Sequence, residues 1–149
     1  MIAKNLSRTS TFLAVLLAAA AVFLAAIVLF VFSGPWSRME PVHQFHGDET
    51  KLKFEKVKAL VLRDKESRAP FSFFDAAEVA LLPDAIVMRL RFPYSLFRKP
   101  LRIAKASMRT CDVSRWRTGA QTNLWLAEDR AIVSVSDPSR QVLRWCESR

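Results

Sequence analysis

The chain has 149 residues, a formal net charge of +9 and 51% hydrophobic content, averages that join two unlike parts meeting near residue 33. Three glycines in the whole chain exclude a glycine-rich loop that cradles phosphates. Two cysteines allow at most one internal disulfide.

Residues 1–10 form a short basic flank containing Lys4 and Arg8 and no acid. Next comes an apolar segment, set at 11–32, whose run from Phe12 to Phe32 reads "FLAVLLAAAAVFLAAIVLFVF" without a charge. As a helix this run would rise roughly 31 Å, close to the roughly 30 Å hydrocarbon core of a bilayer. A lone helix satisfies its own backbone in lipid, so the segment reads as a single-pass transmembrane helix. It is too long for the apolar region of a cleaved signal, and no A-x-A-like site follows, so it reads as an uncleaved signal-anchor. Gly34 and Pro35 end the helix, and Trp36 suits the aromatic belt at the membrane interface. Ala14, Ala18, Ala21 and Ala25 recur at steps of four, three and four, a seam along which a second transmembrane helix, including a second copy, would approach closely.

Lys and Arg bias across the helix orients it with the N-terminus inside the cell and the domain outside. The remainder carries 21 basic against 14 acidic residues, a net of +7. That balance favours anionic lipid headgroups and equally attracts nucleic acid. Cys111 and Cys146 fit an oxidising compartment, where they are candidates for a disulfide; two separate buried thiols are the alternative.

Residues 33–50, which include "SRMEPVHQFHGDET", show no sustained period and read as a juxtamembrane tether. His43, His46, Asp48 and Glu49 lie within it. His43 and His46 are weak metal-ligand candidates, because the spacing matches no closed site, and the plain reading is a solvated segment.

The domain is set at 51–149. In "KLKFEKVKALVL", Leu52 and Phe54 share one strand face while Val57, Ala59 and Val61 share the other parity, which predicts a bulge or break. "RDKESRAPFSFFD" reads as a loop, its phenylalanines tucked beneath a sheet or facing lipid. "EVALLPDAIVMRLRF" has hairpin grammar: Pro83 and Asp84 turn, and Ile86, Met88, Leu90 and Phe92 occupy one face opposite Arg89 and Arg91. A short helix over 75–82 is the competing assignment for its first half. Further strands carry Leu101 with Ile103, Leu124 with Leu126, and Ala131 with Val133 and Val135, and Glu128 and Asp129 supply a turn before the last. A C-terminal helix is expected at about 138–148, capped by Asp137 with Pro138 in its first position, its stripe being Val142, Trp145 and Cys146 with Leu143 beside it.

This order, together with "LPDAIVMRLRFPYSLFRKPLRIAKASMRTCDV", resembles the pleckstrin-homology-like domains of bacterial membrane proteins and a segment of small, membrane-anchored, uncharacterised bacterial proteins. Phe92, Pro93, Phe97, Pro100, Leu101 and Ile103 carry the likeness, and this chain has Ala104 and Lys105 where those proteins carry Pro-Trp. The resemblance implies a mainly-β, antiparallel, partly closed barrel ending in one α-helix, in an inner-membrane setting. It brings no catalytic residues, and a fold alone supplies no function.

Function is therefore expected from the exposed groups. Arg89, Arg91, Tyr94, Phe97, Arg98, Lys99 and Arg102 form a basic, aromatic stretch suited to lipid headgroups or another membrane protein, so the domain reads as a non-enzymatic binding or assembly module facing the periplasm. No motif calls for a cofactor. The first alternative is a membrane-tethered nucleic-acid binder using Phe92, Tyr94 and Phe97 for stacking, which requires a cytoplasmic domain. The second is a membrane-bound hydrolase or metal enzyme, but both histidines sit in the tether and no nucleophile, base and acid are spaced for catalysis.

Overall fold

The computed structural model describes residues 2–64, 70–117, 119–127 and 131–148 and falls into two compact units, residues 1–33 and 34–149. The first unit is helix α1 (Ile2–Ser33). Its stretch Thr11–Val28 is long and apolar enough to cross a membrane, with a mean hydropathy of 2.8 and none of it buried against protein. The alanines of the small-residue seam, Ala14, Ala18, Ala21 and Ala25, lie exposed within that stretch.

The second unit is an antiparallel sheet of seven strands, β1 (Glu55–Arg63), β2 (Phe71–Leu81), β3 (Ala85–Leu90), β4 (Leu101–Ala104), β5 (Met108–Trp116), β6 (Gly119–Leu126) and β7 (Ile132–Ser136). They are ordered β4-β3-β2-β1-β7-β6-β5, and the sheet curls into a half-barrel. Every strand contributes to one apolar cluster, which also takes in Val142 and Cys146 from helix α3 (Gln141–Glu147). Leu60, Leu62, Ile86, Met88, Leu101, Ile103, Leu124, Val133 and Val135 are fully enclosed there. This is the alternating apolar face expected of strands with one side on a core.

The expected phase change in β1 is present, displaced along the strand. Register against β2 shifts between Val57 and Ala59, opposite Asp75, whose φ of 52° lies in the left-handed region that aspartate tolerates. The core-facing role therefore passes from Val57 to Leu60 and Leu62, and Ala59 and Val61 are buried outside the main cluster. "PFSFFD" is not a loop: Phe71 opens β2 and pairs with Leu62, so the strand starts as soon as Pro70 is passed. The same strand runs through 75–81, which excludes a helix there. The turn expected at Glu128 and Asp129 lies outside the described residues.

The terminal helix is shorter than expected. Residues 138–140 form a turn, Arg140 adopts φ 55°, and α3 begins at Gln141. Asp137 still caps it from a distance, because its buried carboxylate accepts from the backbone N–H of Gln141 (2.7 Å) and Leu143 (3.0 Å) and from the Thr122 hydroxyl (2.8 Å). The Trp145 indole donates to the Leu82 carbonyl, and a disulfide joins Cys146 to Cys111 on β5, with Cα atoms 6.6 Å apart. The helix thus ties the β5 edge to the β2–β3 turn.

Closing a loop over 35 residues restricts the unfolded chain by about 3–4 kcal/mol in the chain-entropy estimate. Replacing Cys111 and Cys146 by serine together is expected to lower the urea unfolding free energy by about that much, and reductant should lower the parent protein equally. Unchanged stability in both would show that the bond does not hold α3.

Candidate functional site

Residues 35–43, expected within a tether, form a second packed helix, α2 (Pro35–His43). Gly34 occupies its N-cap and Pro35 its first position, a favoured arrangement for proline even though Pro41 also falls inside. Trp36, Met39 and His43, at steps of three and four, are its buried stripe. Trp36 is only 2% exposed, so it is a core residue and not part of an aromatic belt. Its indole N–H donates to the Lys99 carbonyl at 3.1 Å. The chain leaving α2 continues along β4: Phe45 N–H donates to Pro100 O (2.9 Å), and Gln44 bridges Leu101.

These contacts hold the loop between β3 and β4. β3 ends at Leu90, and Arg91 N–H still donates to Ala76 O on β2. The backbone then leaves the sheet through a cis Phe92–Pro93 bond and a single turn at Tyr94–Leu96. Phe92 therefore does not complete the core face begun by Ile86, Met88 and Leu90; it is 77% exposed. Leu96 and Phe97 also project outward, and Val42 on α2 is exposed as well. Tyr94, 38% exposed, lies edge-to-face on Phe73 (6.3 Å between centroids), which is itself edge-to-face on Trp36 (5.9 Å).

Beneath the loop lies a cleft of about 580 Å³ lined by Arg89, Arg91, Arg98, Glu49 and Glu78 among others. Its cations are largely matched. Arg89 binds Glu78 (2.8 Å), lies 3.5 Å from Glu49 and sits 3.9 Å above the Phe54 ring. Arg91 is 3.6 Å from Glu78 and donates to the Asp75 carbonyl. Arg98, with its side chain 7% exposed, faces Glu40 at 3.5 Å and donates to the Ser37 hydroxyl at 3.1 Å, so it bolts the loop to α2. Arg102 pairs with Asp84 away from this cleft, and Lys99 is exposed. The sequence-nominated residues accordingly separate: Arg89, Arg91, Tyr94, Arg98 and Lys99 gather around the loop with Phe97, while Arg102 faces the β2–β3 turn.

His43 and His46 are not brought together as ligands. His43 is buried on α2 and His46 is exposed. Among the described residues no three His, Cys, Asp or Glu side chains gather in a metal-sized group. Asp48 instead caps the short turn at 49–51, accepting from the Thr50 hydroxyl (2.6 Å) and the Thr50 N–H (3.0 Å). The Thr50 hydroxyl, then its N–H, hold the Asp48 carboxyl below the usual carboxylate range, with a smaller aid from Lys51 and against a slight desolvation.

The counter-ions Glu40, Glu49 and Glu78 and the role of Trp36 escape a sequence reading for different reasons. Glu40 and Glu49 meet their arginines across long stretches of chain, so no local pattern marks them, whereas Glu78 lies directly opposite Arg89 in the β2–β3 hairpin and is found once the register of that hairpin is known. The Trp36, Met39, His43 spacing is a readable helical stripe once the window opens at Pro35. Comparison with known proteins adds no assignment, for no protein-family model matches the chain and no curated protein matches it.

Two outcomes test this geometry. Trp36→Ala is expected to cost about 3–5 kcal/mol of stability by chemical unfolding followed by circular dichroism, whereas Phe92→Ala stays within about 0.5 kcal/mol. For Asp48, a lowered folded-state pKa means that its contribution is present above the unfolded value and fades as pH falls through the folded one. Carbon-13 titration should place Asp48 below the ordinary aspartate midpoint, and Thr50→Ala should move it upward.

Proposed function

We propose that this chain is a single-pass inner-membrane protein, anchored by α1 with its N-terminus inside, whose C-terminal domain is a non-enzymatic binding or assembly module on the periplasmic side. We further read the half-barrel with its terminal helix as pleckstrin-homology-like, the arrangement expected from the resemblance noted in the sequence. The observation that carries the functional reading is the fastening of the 91–100 loop to α2 through Trp36, Arg98 and Phe45. Because Pro35 begins α2 two residues after α1 ends, a membrane-spanning α1 leaves this loop no long tether on which to wander from the bilayer. Its exposed face presents Phe92, Leu96, Phe97 and Lys99 to lipid headgroups or to a neighbouring membrane protein.

The periplasmic side is supported by the Cys111–Cys146 bond, since reducing compartments disfavour such a link. The nucleic-acid alternative requires unmatched cations, yet Arg89, Arg91, Arg98 and Arg102 each stand against a carboxylate. Topology reporters at the C-terminus separate the two. Alkaline phosphatase fused after residue 149 is expected to be active and green fluorescent protein in the same place dark; the reverse pattern would remove the periplasmic reading and restore the nucleic-acid one.

A further inference from the structure

The loop tip carries more apolar surface than a headgroup-binding site needs. Phe92, Leu96 and Phe97 are 77%, 65% and 52% exposed, three large apolar side chains within six residues. A flexible loop would fold such groups down onto the domain. Here the loop is pinned at its base by the Trp36–Lys99 hydrogen bond, by Arg98 on Ser37 and Glu40, and by Tyr94 on Phe73, so the tip stands out as a fixed projection.

We infer that Phe92, Leu96 and Phe97 are a second membrane contact that inserts into the interfacial zone of the leaflet from which α1 emerges. The inference rests on the reading that α1 spans the bilayer. Three features point to lipid as the occupant. First, Trp36 follows Ser33 by three residues, so its Cα lies within about 11 Å of the end of α1 even in a fully extended chain. The loop hydrogen-bonded to that tryptophan is therefore near the membrane surface by connectivity alone. Second, the exposed side chains of the tip are two phenylalanines and a leucine, and aromatic and leucine side chains are the groups that settle at the headgroup and acyl boundary. Third, exposed Lys99 flanks the apolar tip, the placement that suits anionic phosphate groups above an inserted wedge.

The consequence is a domain fixed at two points, the covalent exit of α1 and the inserted loop. Two points remove the swivelling that a single-pass anchor would otherwise leave and fix which face the half-barrel turns to solvent.

The test uses the full chain in nanodiscs of phosphatidylcholine and phosphatidylglycerol. A ketone-bearing amino acid is introduced at Leu96 and, in separate variants, at Asp84 and Leu16, and each is coupled to a nitroxide. The paramagnetic response to oxygen and to a water-soluble nickel chelate is then read. The inference expects position 16 to be lipid-embedded, position 84 aqueous, and position 96 to show a roughly threefold or larger oxygen-to-nickel ratio over position 84, as for a group at the interface. The same label at Phe92 repeats the measurement at a second exposed site, and circular dichroism checks that each variant is folded. If position 16 is embedded but 96 and 92 are as aqueous as 84, the inserted loop is overturned while the anchor stands. If position 16 is aqueous, the spanning anchor itself fails. Shielding of position 96 from both reagents in native membranes, with an aqueous signature in nanodiscs, would mean that a protein covers the loop and would overturn the lipid assignment.

Discussion

The domain depends on the burial of one indole. Trp36 places its ring inside the half-barrel core and its single polar atom on the Lys99 carbonyl, so a side chain that would be costly to enclose unpaired is satisfied. Because it sits in the first turn of α2, the same ring decides where that helix lies, where Phe45 meets β4 and how the loop from Arg91 to Pro100 is held. The edge-to-face series from Trp36 through Phe73 to Tyr94 extends that order into the loop. A segment with the composition of a spacer thereby becomes part of the fold.

Seven strands in this arrangement leave β4 and β5 as open edges, and an open edge invites pairing with another chain. Each edge is handled locally. Gln44 and Phe45 lie along the beginning of β4, and α3 is stapled to β5 by Cys111 and Cys146. Asp137 acts at the same end, since one buried carboxylate joins Thr122 on β6 to two amides of α3. A buried polar group is tolerable when its oxygens are met by several donors, as they are here.

Much of the architecture is legible in the sequence where a period runs uninterrupted. The Ile86, Met88, Leu90 alternation and the aligned pairs Leu101 with Ile103 and Val133 with Val135 map onto the core, and the apolar run of α1 is a helix throughout. Legibility fails where the period is broken by something non-local. Phe92 continues the β3 alternation on paper, but the strand stops at Leu90 and the side chain goes to solvent. Residues 70–75 look like a loop because Pro70 and a run of phenylalanines obscure the alternation, yet pairing with β1 makes most of them strand. The candidate site shows the same division. Its arginines and aromatics stand close together in sequence, but the carboxylates that hold the arginines come from α2, from the 49–51 turn and from β2. Whether a basic stretch is free or matched is decided by those partners on other elements.

The exposed aromatics and the matched arginines of the 91–100 loop are the basis on which we propose a bilayer or membrane-partner contact, and Trp36 and Arg98 fasten that loop to α2. The claim on which all of this turns is that residues 35–45 belong to the folded domain. Hydrogen exchange on the full chain in lipid nanodiscs tests it most directly: the Trp36 indole N–H and the amides from Met39 to Phe45 should exchange as slowly as those of β3 and β4 and in the same cooperative opening. Exchange of this segment within the dead time, while β3 and β4 remain protected, would show a free tether and contradict the account.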